Sequence, residues 1–205
     1  PCPQQRLIHV HGSDLELGKV YQPELGIQAG PNAFAIALAK TPVTGNWSAW
    51  RAEGRKAYEA GFDLPDLPSP VDMGKVTAHL QNVLPEDAIL TNGAGNYAAW
   101  LHRYFVYKQH GTQLAPTSGS MGYGFPAAVS ASIAHPDRVV VCLAGDGCFQ
   151  MTLNEMSTAM QHNANVIVIV CNNGRYGTIR MHQEKTYPAR VSGTDLANPD
   201  FAALA

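Results

Sequence analysis

Three continuous apolar runs in the second half of the chain alternate with segments of helical periodicity. The runs are "AILTNG" (88–93), "RVVVCLAGDG" (138–147) and "VIVIVCNNG" (166–174). Their β-branched residues and flanking turn residues predict strands buried on both faces of a parallel sheet. Helices are predicted over residues 73–84, 96–107 and 153–162, and residues 117–134 are interpreted as a loop. The pattern therefore predicts an α/β fold built on a parallel sheet.

The first forty residues carry a shorter pattern of the same kind. "RLIHVHG" (6–12) and "ELGIQAG" (24–30) predict short strands. "DLELGKVY" (14–21) predicts a helix with Asp14 as its N-cap, and "AFAIALAK" (33–40) predicts a helix capped by Asn32. This β-α-β-α stretch resembles the tail of a Rossmann-like domain without its phosphate-binding glycines.

A region of weak pattern separates the two parts. "WSAWRAEGRKAYEA" (47–60) favours a surface helix, and "DLPDLPSP" (63–70) favours an extended linker because it is rich in proline. We therefore predict a first domain over residues 1–45, a linker over 46–70 and a second domain over 71–205. The chain starts at Pro1 and stops at "FAALA", which is typical of an unfinished helix. We expect a fragment of a longer protein.

Composition excludes several classes of function. The formal charge is −2 and there is no basic run, so a nucleic-acid partner is not expected. No apolar run approaches the roughly 20 residues that a membrane helix needs. The four cysteines have no CxxC spacing, which argues against a zinc site. Cys142 and Cys171 lie in apolar strands and are interpreted as buried thiols, so we expect a cytoplasmic protein.

Two of the predicted strands end in residues that suit a metal and a phosphate. Gly145 and Gly147 flank Asp146 after one strand, where small residues let the backbone approach an anion. Asn172 and Asn173 follow the next strand. Ligands of parallel α/β sheets bind at the carboxyl ends of the strands. Because Mg²⁺ prefers carboxylate and amide oxygens together with phosphates, these residues predict a magnesium–phosphate site.

The spacing of these motifs resembles that of thiamine diphosphate (TPP) enzymes. Gly-Asp-Gly, 24 intervening residues (148–171) and Asn-Asn match their signature, and "GSMGYGFPAA" (119–128) is similar to the GxMGxGxPAA segment of the acetolactate synthase-like branch. The resemblance covers nearly the whole chain. It implies a three-layer parallel-sheet domain that binds the cofactor diphosphate, preceded by the tail of a Rossmann-like central domain.

The resemblance also implies roles for individual residues. Asp146 and Asn173 would be side-chain ligands of Mg²⁺, and the backbone carbonyl of Arg175 would be a third ligand. The other residues implied to bind the cofactor lie on the loops around these ligands: Gly95, Asn96, Gly119, Met121, Gly145, Gly147, Cys148, Gly177 and Thr178. Among them, Gly147 and Cys148 would donate backbone N–H groups to the diphosphate.

Met121 and His182 have distinct implied roles. Met121 would wedge between the two rings of the cofactor, and the backbone of Gly119 and Met121 would hold the aminopyrimidine. At Gly95-Asn96 the family often has Gln-His, so this chain departs from the pattern there. His182 replaces a tryptophan that lines the substrate entrance in related enzymes. It is either a substrate contact or an exposed residue.

The implied activity is decarboxylation of pyruvate followed by carboligation, as in acetolactate synthases. Another TPP-dependent 2-oxo acid decarboxylase, oxidase or glyoxylate carboligase fits the same residues. A non-catalytic metal- or nucleotide-binding module, or an oligomerisation scaffold, is the alternative of another class. The catalytic glutamate of the family lies on a pyrimidine-binding domain, usually of a neighbouring subunit. We therefore expect a homodimer or homotetramer at full length, a fragment without activity, and FAD only through the rest of the central domain.

Overall fold

The structure is a computed structural model that describes residues 4–64, 67 and 70–205. The chain divides into two units, Pro1–Arg55 and Lys56–Ala205, each with its own sheet. Helix α2 (Ser48–Ala60) runs across this division and confirms the predicted surface helix. Part of the predicted linker, at residues 65–66 and 68–69, lies outside the described residues. The predicted domain boundaries at residues 45 and 70 stay a prediction.

The first unit contains a small parallel sheet. Strand β1 (Ile8–His11) pairs with β2 (Leu25–Gln28) in parallel, as expected for two strands joined by a crossover. Helix α1 (Pro31–Leu38) follows β2 directly. Arg6 and Glu24 form an exposed ion pair at the start of the two strands. Both predicted strands of this unit are confirmed.

Two predicted helix starts in the first unit are wrong. Residues 14–21 form only a 3-10 turn over Asp14–Glu16, whose N-cap is Ser13 and not Asp14. Gly18 ends this segment in the left-handed region, at φ 74°, where a helix cannot continue. Helix α1 is capped by Gly30 and not by Asn32, because proline is favoured at the first helical position that Pro31 occupies.

The second unit is built on a four-stranded parallel sheet in the order β4-β3-β5-β6. Its strands are β3 (Ile89–Asn92), β4 (Gln113–Leu114), β5 (Val140–Gly145) and β6 (Ile167–Cys171). Its helices are α3 (Met73–Val83), α4 (Ala98–Tyr104), α5 (Gly124–Ala134), α6 (Asp146–Gln150), α7 (Met156–Gln161), α8 (Gly177–Thr186) and α9 (Phe201–Leu204). Asp72 caps α3, since its carboxylate accepts from the N–H groups of Gly74 at 2.8 Å and Lys75 at 3.3 Å. The predicted parallel α/β fold is confirmed.

Both faces of the central strands are buried, which explains their continuous apolar runs. On one face Ile89, Val140 and Cys142 pack against α5 and Phe149. On the other face Leu90 and Val141 pack with Leu101 of α4 and Leu143. Successive residues of one strand thus enter opposite cores, as the two-residue period of a strand requires. This packing holds the carboxyl ends of β3 and β5 in fixed positions.

Two interpretations of the second unit need correction. Residues 117–134 are not a loop throughout, because α5 occupies Gly124–Ala134. The Gly and Pro content suggested a loop, but Pro126 lies in the first turn of the helix, where proline is tolerated. The predicted helix at 153–162 is a 3-10 turn, Leu153–Glu155, followed by α7. None of the helices in the described part of the chain combines the length and the hydropathy of a membrane span.

Candidate functional site

The carboxyl ends of β5 and β6 lie side by side. Gly145, the last residue of β5, pairs with Cys171, the last residue of β6. Asp146 and Asn172 follow immediately, so both sequence motifs leave the sheet at the same edge. A ligand site at this edge is expected for a parallel α/β sheet.

Asp146 is a buried carboxylate held by three donors. Asp146 is only 3% exposed. Its Oδ1 accepts from the N–H of Gly147 at 2.9 Å, and its Oδ2 accepts from the N–H of Gly174 at 2.8 Å and from Asn198 Nδ2 at 2.7 Å. An ionised carboxylate has about four acceptor positions, two on each oxygen. Oδ2 is therefore saturated, and the remaining position is on Oδ1.

The two asparagines after β6 are used differently. Asn173 lines the cavity described below, and its Oδ1 accepts from the N–H of Arg175 at 3.2 Å. That bond leaves one acceptor position on the amide oxygen. Asn172 Oδ1 instead accepts from Asn198 Nδ2 at 2.7 Å. Because Asn173 lines the cavity and Asn172 does not, the geometry favours Asn173 as a ligand of any cation beside Asp146.

A cavity of about 490 Å³ opens at this edge of the sheet. All the cofactor residues expected from the sequence line it: Gly95, Asn96, Gly119, Met121, Gly145, Asp146, Gly147, Cys148, Asn173, Arg175, Gly177 and Thr178. Further lining residues were not expected: Met73, Ala94, Tyr97, Trp100, Cys171, Tyr176 and Ile179. The volume lies within the roughly 300–1,000 Å³ that is typical of small-ligand sites.

The glycines around Asp146 are required by two tyrosine rings. A Cβ on Gly147 would lie 2.6 Å from Tyr176 Cε1, and a Cβ on Gly145 would lie 2.8 Å from Tyr97 Cε1. Side chains at these positions would therefore displace the rings that form the cavity wall. The two rings thus pack directly against the backbone of Gly145 and Gly147, and the approach of a ligand to this backbone stays a prediction.

Hydrogen bonds from two threonines hold the segment that follows Met121. Met121 lies before Gly122, which adopts φ 80° and so favours glycine. The Gly122 carbonyl accepts from Thr152 Oγ1 at 2.9 Å, and the Gly124 carbonyl accepts from Thr91 Oγ1 at 2.7 Å. These bonds tie the Met121 loop to β3 and to the segment after α6. The two threonines were missed because their partners are more than 29 residues away along the chain.

The loop after β3 is also tied to the other cavity walls. The N–H of Asn96 donates to Thr178 Oγ1 at 3.0 Å, and the thiol of Cys148 donates to the Ala94 carbonyl at 3.0 Å. The loop after β3 therefore contacts both the start of α8 and the Gly-Asp-Gly turn. Residues 94–96, 148 and 178, which the sequence placed on separate loops, form one wall.

Tyr97 is an unexpected part of this wall. Its hydroxyl is buried and has no hydrogen-bond partner among the described residues. Burial, reinforced by the neighbouring Cys148 thiol, raises the pKa of Tyr97, so the phenol stays neutral at physiological pH. Its ring packs against Gly145 and forms part of the cavity wall.

A segment that we call the return segment (residues 193–198) folds back onto the loop after β6. Arg175 and Asp195 form an antiparallel bridge. The N–H of Tyr176 donates to the Thr194 carbonyl at 2.8 Å, and the N–H of Leu196 donates to the Gly174 carbonyl at 2.8 Å. Sequence reasoning missed this segment. Its contact with Asp146 comes from a residue 52 positions away and leaves no local pattern.

His182 lies apart from the other expected residues. It is exposed on α8 and is not among the residues that line the cavity. The first residues of the same helix, Gly177 and Thr178, do line it. The role of His182 as a substrate contact stays a prediction.

The buried thiols give a prediction about pH. Burial raises the pKa of Cys142 and of Cys171 from 9.0 to about 11 in each case. At pH 8 about 0.1% of each would be thiolate, so we expect iodoacetamide to leave both unmodified in the native protein but to label both in denaturant. Peptide mass spectrometry measures the labelling. Rapid native labelling at pH 8 would contradict the prediction.

The same pKa values imply a pH dependence of stability. Because the pKa of each thiol is higher in the folded protein than in the unfolded one, these thiols contribute stability that is lost as pH rises from 9 toward 11.

The donor set fits a hard cation. Among the described residues there is no group of three or more His, Cys, Asp or Glu side chains that could hold a metal. One carboxylate oxygen, one amide oxygen and a backbone carbonyl are the oxygen ligands that Mg²⁺ takes when phosphates and water complete its shell. Asp146, Asn173 and Arg175 therefore fit Mg²⁺ better than a soft metal.

Comparison with known proteins gives one consistent family. Residues 93–205 match the family model described as "Thiamine pyrophosphate enzyme, C-terminal TPP binding domain". Over its whole length the chain is 28% identical to the acetolactate synthase isozyme 2 large subunit of Escherichia coli, and it covers 37% of that protein. It is 31% identical over its whole length to the acetolactate synthase of Mycobacterium leprae, and it covers 35% of that protein. A solved structure, the TPP-dependent 4-hydroxybenzoylformate decarboxylase of Rhodococcus jostii RHA1, matches with a TM-score of 0.74 and 26% identity over 98% of this chain and 37% of that one.

The match to the family model begins directly after β3 and includes both motifs and the return segment. The chain spans only about a third of the length of these relatives, from 35% to 37%. The family and the parallel-sheet fold expected from the two motifs are thus confirmed. The chain belongs to the thiamine pyrophosphate enzymes, whose C-terminal TPP binding domain it carries.

Proposed function

We propose that the chain holds the diphosphate of TPP through Mg²⁺ in an enzyme that acts on 2-oxo acids. The proposed reaction is decarboxylation of pyruvate followed by carboligation, as the names of the acetolactate synthase relatives suggest. The proposed assembly is a cytoplasmic homodimer or homotetramer in which a neighbouring subunit completes the site. FAD, if the protein uses it, would bind through the rest of the central domain.

One observation carries this proposal. The buried Asp146 carboxylate and the Asn173 amide face one cavity at the paired ends of β5 and β6. Asp146 keeps a single free acceptor position on Oδ1. That arrangement offers a cation few protein ligands and leaves room in its shell for water and for phosphate oxygens. A diphosphate cofactor supplies the phosphate oxygens.

In this proposal the residues of the chain bind and orient. Asp146, Asn173 and the carbonyl of Arg175 hold Mg²⁺, and the turn at Gly147 and Cys148 takes the diphosphate. Met121 supports the cofactor from the loop before α5. When bound, TPP supplies the carbanion chemistry, and the protein supplies placement and electrostatics.

Proton transfer is assigned to a different domain. None of the cavity residues of this chain is proposed to move a proton during the reaction. The family's glutamate would come from a pyrimidine-binding domain, and His182, exposed on the helix that begins at the cavity, is proposed to contact substrate. We therefore propose that the 205-residue chain by itself has no turnover.

A second candidate function is decarboxylation without carboligation. It is favoured by the structural match to a 4-hydroxybenzoylformate decarboxylase. In that case an aryl 2-oxo acid would replace pyruvate, and the metal and diphosphate contacts would be the same. An oligomerisation scaffold that binds no ligand is disfavoured because it would not need a buried carboxylate with a free acceptor position beside a cavity. A non-catalytic metal- or nucleotide-binding module is distinguished from an enzyme by the absence of turnover.

Identification of products by NMR distinguishes these candidates. The protein in its full natural length is incubated with TPP, Mg²⁺ and either pyruvate or 4-hydroxybenzoylformate. Acetolactate from pyruvate is the expected result, and the 205-residue chain serves as the inactive control. An aldehyde from the aryl acid would support the second candidate. TPP binding without consumption of either acid would contradict both substrates, and absence of TPP binding would contradict the function itself.

A further inference from the structure

Asn198 of the return segment connects the two strand ends that form the proposed metal site. Its Nδ2 donates to Asp146 Oδ2 and to Asn172 Oδ1, each at 2.7 Å. Its Oδ1 accepts from Gln150 Nε2 at 2.6 Å, which fixes which side of the amide faces Asp146. Both hydrogens of the Asn198 amide are therefore used. Its side chain contacts the carboxylate but is not among the residues that line the cavity.

The bond from Asn198 determines how Asp146 can bind a cation. Oδ2 accepts from Asn198 and from Gly174, which occupies both of its acceptor positions. Oδ1 accepts only from Gly147 and keeps one position. A cation can therefore approach one oxygen of the carboxylate and not both. Asn198 and Gly174 together thus leave only Oδ1 for a cation.

Monodentate binding discriminates between divalent cations. Mg²⁺ requires near-octahedral geometry at about 2.0–2.1 Å, whereas Ca²⁺ takes 6–8 ligands at about 2.3–2.6 Å and accepts bidentate carboxylates. We propose that Asn198 is a positioning residue that makes this site select Mg²⁺ over Ca²⁺, an inference that rests on the proposed function. Asn198 does so by occupying the second oxygen of Asp146.

The test uses the ratio of two metal affinities. Calorimetry of TPP binding to the protein in its full natural length gives the half-saturating concentrations of Mg²⁺ and of Ca²⁺. In Asn198→Ala, Oδ2 becomes available, and we expect the preference to shift toward Ca²⁺ by about 10-fold or more, which is the scale of changes around metal ligands. Asn198→Asp, which keeps the side-chain shape but donates no hydrogen bond when ionised, is expected to shift the ratio in the same direction.

The matched control is Asn172→Ala. This change removes the other acceptor of Asn198 and leaves its bond to Asp146 in place. We expect the Mg²⁺-to-Ca²⁺ ratio of this variant to stay within about twofold of the wild-type ratio, because the carboxylate is still held at one oxygen.

Three outcomes would overturn the inference. If the Asn198 variants bind Mg²⁺ and Ca²⁺ more weakly by the same factor, the role of Asn198 is merely structural. If Asn172→Ala shifts the Mg²⁺-to-Ca²⁺ ratio as much as Asn198→Ala does, the packing of the two strand ends and not the bond to the carboxylate sets the preference. Wild-type protein that binds TPP without any metal requirement would overturn the proposed function, and this inference with it. Circular dichroism identifies any variant with a folding defect. The Mg²⁺-to-Ca²⁺ ratio is then taken from whichever of the two Asn198 variants keeps the native fold.

Discussion

Replacement of Asp146 by alanine is expected to weaken Mg²⁺-dependent binding of TPP by about 100-fold or more. Loss of a residue that only supports a metal ligand typically lowers metal affinity by about 10- to 100-fold. Loss of the charged ligand itself is therefore expected to lower the affinity by about 100-fold or more. Asp146 is the only carboxylate among the residues that line the cavity in the described part of the chain. Asn173 and the Arg175 carbonyl are neutral and cannot compensate for the lost charge.

Two comparisons make this prediction specific. Asp146→Asn keeps the size of the side chain but removes its charge, and is expected to lose most of the same affinity. Asp137→Ala removes an equal charge from an exposed position and should leave TPP binding unchanged. Calorimetry with Mg²⁺ and with EDTA measures all three. Wild-type affinity in Asp146→Ala would mean that the cation binds elsewhere.

Substitution of Gly124 by alanine is expected to lower the free energy of unfolding by about 2–3 kcal/mol, at the upper end of what overpacking costs. A Cβ at this position would lie 2.8 Å from the backbone nitrogen of Gly93 and 2.9 Å from the carbonyl carbon of Asn92. Backbone atoms cannot rotate away as a side chain does. Helix α5 would have to move from the end of β3, against the 2.7 Å bond from Thr91 to the Gly124 carbonyl.

Urea unfolding followed by tryptophan fluorescence measures this effect. Ser130→Ala, an exposed change on the same helix, is the control and should stay within about 0.5 kcal/mol of wild type. Because α5 follows the Met121 loop directly, we also expect TPP binding to weaken in Gly124→Ala. An unchanged unfolding midpoint would show that the approach of α5 to β3 is not tight.

The edge of the sheet that carries the site was predictable because it follows from strand periodicity. Continuous apolar runs indicated strands buried on both faces, and the parallel arrangement places their carboxyl ends together. Asp146 comes directly after β5 and Asn173 is the second residue after β6, so their place at the same edge of the sheet needed no further information. The same reasoning does not select between Asn172 and Asn173. The structure makes that distinction, because Asn173 lines the cavity and Asn172 does not.

The features that were missed depend on contacts between distant parts of the chain. Thr91 and Thr152 hold the Met121 loop through bonds to backbone carbonyls about 30 residues away. Such bonds impose no periodicity on the sequence. Tyr97 was missed for a related reason, because its position above Gly145 depends on how α4 packs against β5. The start of α5 was misjudged because glycine and proline favour both loops and first helical turns.

The most direct test of the metal–diphosphate site is a crystal structure of the protein with TPP and Mn²⁺, which takes the same oxygen ligands and gives an anomalous signal. The account predicts an anomalous peak bonded to Asp146 Oδ1, Asn173 Oδ1 and the carbonyl of Arg175. The diphosphate is expected at the turn of Gly147 and Cys148. A peak that contacts neither Asp146 nor Asn173, or a diphosphate bound outside the cavity, would contradict it.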